Sequence, residues 1–394
     1  MSFFYTKEEN KKREEIRAFV REKIEPLREG CTAKREFPRE ALRLLGKEGY
    51  CGNIHDSKYG GSNKGNGNTI EEITCEEVAW VNGAIEMTRL VSATLFGMPL
   101  ATFGTEEQKD KYLPKLIKGE IVGAIAMTED DVGSDLTMMK AHARKEGDMW
   151  ILNGHKRYIT NGGKADVISV FCRTKTVEEE KNARKALSGF LVEKEFKGFR
   201  VEKEYDLAGM EGGSVARLIF EDCEIPDTQL LGKEGKGFYQ LMDELNTERM
   251  GMAAACVGHS QRCLDESIAY ANERVQFKQK IRNFEWVSFR LAEAATQLRA
   301  ARLLALEAAK SLDAGADATT PASMAFAYGT EMEKFVTHTS LYTHAGKVIT
   351  ENTGAIASHW RMAPVMWVVG GTTDIQKFII SREIFKEIDE KEKK

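Results

Sequence analysis

Two short stretches of the chain hold the residue types from which chemistry is usually built. Ala126-Met-Thr-Glu-Asp-Asp-Val-Gly-Ser-Asp135 sets three acids side by side ahead of Gly-Ser-Asp, and Asn246-Thr-Glu-Arg-Met250 sets the carboxylate Glu248 beside the guanidinium of Arg249. The three adjacent acids read as a capped turn, because calcium ligands are spaced along a loop so that their oxygens converge. Read alone, Glu248 is a helix-surface glutamate or the partner of a nearby arginine. Four further segments stand out: Leu152-Asn-Gly-His-Lys-Arg-Tyr-Ile-Thr-Asn-Gly162, Gly209-Met-Glu-Gly-Gly-Ser214, Glu273-Arg-Val-Gln-Phe277 and Gly370-Gly-Thr-Thr-Asp-Ile-Gln376. Seven cysteines, at 31, 51, 75, 172, 223, 256 and 263, lie scattered with no C-x-x-C pair. That pattern argues for a reducing compartment, the cytoplasm, and against a disulfide frame or a zinc site.

Taken together and in order, these segments resemble the acyl-CoA dehydrogenase family. Met127 to Asp135 is similar to its M-T-E-P-x-x-G-S-D signature, Asn153 to Gly162 to N-G-x-K-x-[WFY]-I-T-N-G, and Glu273 to Phe277 to E-R-x-x-F. Phe103-Gly-Thr-Glu-Glu-Gln-Lys109 and Tyr59-Gly-Gly61 also stand where the family has them. The resemblance spans nearly the whole chain and implies a helical domain, a β-barrel and a four-helix bundle. It also implies a homotetramer, with FAD held between barrel and bundle. Met127 and Thr128 are then expected to meet the flavin through backbone and hydroxyl, with Tyr158 and Thr160 beside its ring. Ser134 is expected to reach the cofactor or the CoA portion of the substrate. Arg274 and Phe277 are expected at the diphosphate and adenine across a subunit boundary, where a permanently charged, forked donor suits a phosphate.

The chemistry so implied is removal of the α-proton of a thioester by a desolvated carboxylate, with β-hydride transfer to the flavin and donors at the thioester oxygen. Most members carry the base in a C-terminal Y-E-G-T motif, where this chain reads Val369-Gly-Gly-Thr372 and puts Gly370 at the glutamate position. A minority resembling isovaleryl-CoA and long-chain acyl-CoA dehydrogenases place it instead in an E-R pair on a bundle helix. The complementary pattern here assigns Glu248 as base and the Gly370 N–H as oxyanion donor, with a branched or cyclic acyl-CoA as substrate by the same analogy. An electron-transfer flavoprotein is the expected electron acceptor. Two other departures bear on the cofactor: Asp130 replaces the proline of M-T-E-P, and of the Q-x-x-G-G-x-G loop, near Thr343 to Ile349, only Gly346 remains. The alternatives are an enoyl-CoA reductase on the same scaffold and a non-catalytic CoA-thioester-binding protein.

Composition sets the outer limits. The 394 residues, 42% of them hydrophobic, suffice for two or three domains with sizeable cores. No run of about 18 apolar residues predicts a membrane span, and Lys7 to Arg17 is charged where a signal peptide would be apolar. With 61 acidic against 57 basic residues and no basic block, a nucleic-acid partner is not expected.

The elements that must position these residues fall into three zones. An apolar stripe through Ile16, Phe19, Val20 and Ile24, and a similar pattern over Thr69 to Val81, predict helices up to about residue 121. Asp56 to Asn68 reads as a loop. Between 122 and 232 the runs Val167-Ile-Ser-Val-Phe, Gly189-Phe-Leu-Val and Ala216-Arg-Leu-Ile-Phe predict short strands of an antiparallel β-barrel or sandwich. Trp150-Ile-Leu, Asn153-Gly154 and Tyr158-Ile read as a hairpin. From 233 to 394 long helices such as Leu291 to Ala309 predict a bundle, ending in a solvated tail over Lys386 to Lys394. The fold class is α+β: a helical domain over 1–121, the β-barrel over 122–232 and a four-helix bundle over 233–394. His359 to Trp367, and Val91, Leu95 and Met98, fit either core or the wall of an acyl pocket.

Overall fold

In a computed structural model the described residues are 4–392, apart from 177, 352 and 353. Seven helices come first: α1 (Lys7–Phe19), α2 (Arg28–Thr32), α3 (Arg39–Lys47), α4 (Gly67–Val81), α5 (Gly83–Leu90), α6 (Gly97–Phe103) and α7 (Glu106–Ile117). Thr6 with Glu9, and Thr105 with Gln108, close reciprocal caps on α1 and α7, satisfying N–H groups that have no partner within the helix. Between α5 and α6 the chain widens into a π-helical segment, Val91–Phe96, just ahead of Pro99. Proline has no N–H to offer the carbonyl four residues back, and a wider turn relieves that mismatch. The fully buried Arg89 meets Glu86 at 2.7 Å and Glu71 at 2.9 Å, and Thr94 donates to Glu71 at 3.2 Å. The network ties α4, α5 and the π-helical segment into one wall.

Eight strands follow: β1 (Gly123–Ala126), β2 (His142–Glu146), β3 (Met149–Thr160), β4 (Val167–Arg173), β5 (Leu187–Glu193), β6 (Phe199–Glu204), β7 (Val215–Pro226) and β8 (Leu230–Leu231). The sheet runs β6-β7-β3-β2-β4-β5-β8, with β1 pairing β4 in parallel, and Trp150, Leu152, Phe190, Phe220 and Ile225 fill its inner face. The hairpin expected at Asn153-Gly154 is corrected by the structure, since β3 passes straight through that pair. Gly154 has φ +137°, and a Cβ there would lie 2.7 Å from the Ala141 Cα, so the glycine marks a close approach of strands at a bulge rather than a reversal. The reversal sits one step earlier, at Gly147 (φ +63°), between β2 and β3.

The last zone holds α8 (Gly237–Glu273), a two-residue ribbon of β9 (Val275–Gln276) and β10 (Gln279–Lys280), then α9 (Glu285–Asp313), α10 (Thr319–His344), α11 (Gly346–Thr350), α12 (Ala355–Met366) and α13 (Thr373–Glu392). Alanines 253, 254, 255, 301, 305, 308, 322 and 325 are buried where these helices meet, so their backbones approach closely. The charged stretch read as a solvated tail continues α13 as far as Glu392; residues 393 and 394 lie outside the described part. Among the described residues no helix is long and apolar enough to cross a membrane, and no cluster of three or more potential ligands could hold a metal.

Candidate active site

Glu248 lies in the fourth turn of α8 and is 6% exposed. Burial pushes its carboxyl up to about 7, against the pull of Arg249. Arg249 turns aside to donate to Asn246 at 3.0 Å, and Asn246 in turn reaches Thr319 at the start of α10. Gly370 lies in the bend between α12 and α13 with φ +61°, followed by Gly371 at +86°. A Cβ built on Gly370 would sit 3.0 Å from Glu248 Oε1 and 3.7 Å from Phe326 Cε1. The carboxylate from α8 therefore occupies the place a side chain at 370 would enter. Two consecutive left-handed residues turn the backbone sharply, and no hydrogen bond within the described chain takes the Gly370 N–H.

A second group gathers on the outer side of the sheet. Met127 and Thr128 leave β1 beside β3, where Arg157 N donates to the Thr128 carbonyl at 2.9 Å. The β3–β7 register shifts between Lys156 and Ile159, and Tyr158 within that irregularity has φ +57° and is 53% exposed. A non-glycine residue held in this region is strained, and such positions gather at functional sites. The bulge turns Tyr158 outward, against Tyr205 at 5.0 Å, with the Arg157 guanidinium 4.1 Å from its ring centre. Ile159 returns to the core and Thr160 is half-buried. Asp130, which replaces the motif's proline, is bound by Arg217 through two contacts of 2.6 and 2.9 Å, by Arg157 at 2.9 Å and by His155 at 2.9 Å. Ser134 is exposed in the turn beyond.

The sheet is joined to both helical zones. Asn161 donates to the carbonyls of Thr88 and Gly123, both at 3.1 Å, pinning the end of β3 to α5 and β1. Arg361 on α12 meets Glu211 of the β6–β7 loop at 2.8 Å. A cavity of about 350 Å³ opens at this joint, lined by Ala208, Arg361, Pro364, Trp367 and Lys334 among others. Val91 and Leu95 are buried in the same cluster as Phe326. Arg274, Phe277 and Gly346 stand apart: all three are exposed, Phe277 at 89%. Among the described residues no hydrogen bond or ion pair joins them to Glu248, Gly370 or the Tyr158 group. Phe277 (φ +47°) and Lys278 (φ +67°) form the tip of the β9–β10 ribbon. Nothing in the local pattern of Tyr205 and Phe326 separates them from ordinary core and surface; Glu211 and Arg361 fall inside the singled-out segments Gly209 to Ser214 and His359 to Trp367, but the sequence does not show that they pair.

Three family models match the chain in order: acyl-CoA dehydrogenase N-terminal domain over 6–120, middle domain over 124–223 and C-terminal domain over 235–385. The chain belongs to the acyl-CoA dehydrogenase family. It is 34% identical to an isovaleryl-CoA dehydrogenase of Pongo abelii over 96% of this chain and 88% of that one. It is 32% identical to a 3-(aryl)acrylate reductase of Clostridium sporogenes over 97% of this chain and all of the other. The solved butyryl-CoA dehydrogenase of Megasphaera elsdenii superposes with a TM-score of 0.92 at 30% identity, covering 98% and 100% of the two chains. Members of this family of oxidoreductases bind FAD. The outer face of the sheet fits a flat heteroaromatic ring, offering the exposed Tyr158, the half-buried Thr128 and Thr160, and a Thr128 N–H that no group among the described residues takes.

Proposed function

We propose that this acyl-CoA dehydrogenase family member oxidises an acyl-CoA thioester to its enoyl-CoA with Glu248 as the α-proton base and the Gly370 N–H as a donor to the thioester oxygen. The observation that carries this reading is the 3.0 Å between Glu248 Oε1 and the site of a Cβ on Gly370. The carboxylate on α8 reaches the point that the glutamate of a Y-E-G-T motif would enter from the other side. Burial makes it basic enough to accept a carbon-bound proton once substrate excludes the remaining water. The unclaimed Gly370 N–H supplies charge stabilisation where the enolate oxygen develops. Bound FAD would supply the hydride acceptor for the β-hydrogen. Met127, Thr128, Tyr158 and Thr160 would hold its ring, and Ser134 would meet the cofactor or the CoA portion.

Arg274, Phe277 and Gly346 serve the FAD of a neighbouring subunit in a homotetramer. Their exposure supports this, as do the exposed Trp286, Phe289, Tyr342 and Phe378 on the same bundle. A branched or cyclic acyl group fits the base on α8 by analogy with the isovaleryl-CoA dehydrogenase relative. Electrons leave to an electron-transfer flavoprotein. The seven cysteines, all buried and unpaired, suit the cytoplasm.

A second reading, reduction of an enoyl-CoA, rests on the similarity to the arylacrylate reductase, since the same proton and hydride groups serve both directions. Anaerobic titration of the purified protein with straight, branched and cyclic acyl-CoA thioesters tests the two. Bleaching of the oxidised flavin by one class is the expected result. Failure of every thioester to bleach bound flavin, with oxidation of the reduced enzyme by enoyl-CoAs, would establish the reductase direction.

A further inference from the structure

The inner side of the Met127–Thr128 loop is held by a charged pair that the proposed chemistry does not use. Lys156 lies inside the sheet, fully buried, and its ammonium donates to the Met127 carbonyl at 2.9 Å and to Glu129 Oε1 at 2.8 Å. Glu129, also buried, accepts in addition from the backbone N–H groups of Lys140 at 2.7 Å and Ala141 at 3.1 Å. The lysine thus has an anionic partner, and the anion has three donors, which is what keeps two charges tolerable in such a place. Burial still draws the Lys156 ammonium below its ordinary value, opposed by Glu129.

The consequence follows from the planarity of the peptide. In a trans peptide the C=O of one residue and the N–H of the next point in opposite directions. Lys156 pulls the Met127 carbonyl into the sheet, so the Thr128 N–H is aimed outward, to the side where Tyr158 is exposed. The next carbonyl, that of Thr128, is fixed by Arg157 N at 2.9 Å, and the Glu129 N–H is consumed by the Val132 carbonyl at 2.9 Å. Of these amides only that of Thr128 is left unclaimed, and its orientation is set from behind by an ammonium group.

We infer that Lys156, held by Glu129, is a positioning residue that orients the Met127–Thr128 peptide so that the Thr128 N–H is presented to the bound flavin. This rests on the flavin occupying the outer face of the sheet, as proposed above. Lys156 touches neither cofactor nor substrate. A donor fixed at the flavin edge favours the electron-rich reduced form, and a buried, pre-aimed dipole does so without reorganisation. Losing the anchor frees the peptide to turn, and the preference for the reduced form falls.

The test is the midpoint potential and dissociation constant of FAD in the intact protein for Lys156→Met/Glu129→Gln, which leaves no uncompensated buried charge, and for Glu129→Gln alone. The double variant is expected to fold, to bind FAD at least tenfold more weakly, and to lose about tenfold in its preference for reduced flavin, about 30 mV for a two-electron couple. Glu129→Gln keeps a Lys156 donor for the Met127 carbonyl, as ammonium or as neutral amine, so its potential is expected to stay close to that of the wild type. An unchanged potential in the folded double variant would overturn the inference, as would an equal fall in both variants, which would report general loosening. Absence of FAD from the wild-type protein would instead overturn the cofactor site itself.

Discussion

Replacing Glu248 by glutamine tests the base through two independent quantities. The carboxyl is carried by burial from its ordinary 4.5 to about 7, and at about 1.36 kcal/mol per pH unit this amounts to roughly 3 kcal/mol between its two protonation states. Because the folded value is raised, the native state holds the proton more tightly than the unfolded chain. Below pH 4.5 both states are protonated and the group has no effect on stability. Between 4.5 and 7 stability falls with rising pH, and above 7 the full cost of the ionised buried carboxylate is felt. Glu248→Gln, which cannot ionise, should be more stable than wild type by about 3 kcal/mol at pH 8 in urea unfolding, with the difference vanishing near pH 4. Catalysis should move the other way, because only the ionised form takes a proton. Wild-type reduction by substrate should fall about tenfold for each pH unit below 7, and the variant should lose about 10²- to 10⁴-fold while retaining FAD. Single-turnover bleaching under anaerobic conditions measures the rate. A variant bleached at the wild-type rate would refute the assignment, and a stability difference that does not change with pH would refute the buried, proton-holding carboxyl.

Gly370→Ala should cost about 1–2 kcal/mol for the left-handed backbone and should press on Glu248; thermal unfolding with bleaching kinetics would show both losses together. Arg274→Ala should weaken FAD binding about tenfold or more, the loss of a charge-assisted phosphate contact of about 1.5–3 kcal/mol. Fluorescence titration at several protein concentrations should show wild-type affinity falling as the tetramer dissociates. Phe326→Ala should destabilise the bundle by about 3–5 kcal/mol and, by clearing space beside Glu248, shift relative rates towards bulkier thioesters in a substrate panel.

The three-zone plan was legible because each zone obeys one periodicity. Apolar spacing at helical intervals marks the ends of the chain, and alternation with turn residues marks the middle. The hairpin misread at Asn153-Gly154 shows where local rules run out. The pair has turn chemistry, yet whether a glycine reverses the chain or admits a neighbouring strand depends on Ala141, which approaches from β2's side of the sheet. The residues proposed to hold the flavin stand out in the sequence as motifs, and their grouping at one face does not, since it depends on a β3 bulge that breaks strict alternation between Lys156 and Ile159. Lys156 illustrates the same limit. A lysine inside a strand pattern reads as an outward residue until Glu129 and the Met127 carbonyl are seen facing it. The exposed Arg274 and Phe277 were legible only through the family resemblance, because one chain gives them nothing to touch.

The alternation of glutamate and glycine between α8 and the bend after α12 has a direct physical reason. The two positions address one point: a side chain begun at 370 would start 3.0 Å from the carboxylate of Glu248. Two glutamates meeting there would place like charges at contact in a buried site, and one would keep its proton through the neutral range, removing the second as a base. Two glycines would leave the α-proton with no acceptor. A single carboxylate is therefore the workable number, and either element can supply it. The element that does not is free to become glycine, and that freedom has a use. At Gly370 the missing side chain lets the backbone adopt φ +61° and turn its N–H free of the helix ladder. On the proposed reading, base and oxyanion donor then border the same small space. On this reasoning Glu248→Gly/Gly370→Glu, which moves the carboxylate to the other element, should recover only part of the bleaching rate. The charge returns, but to a left-handed backbone that disfavours any side chain, with its N–H aimed less well.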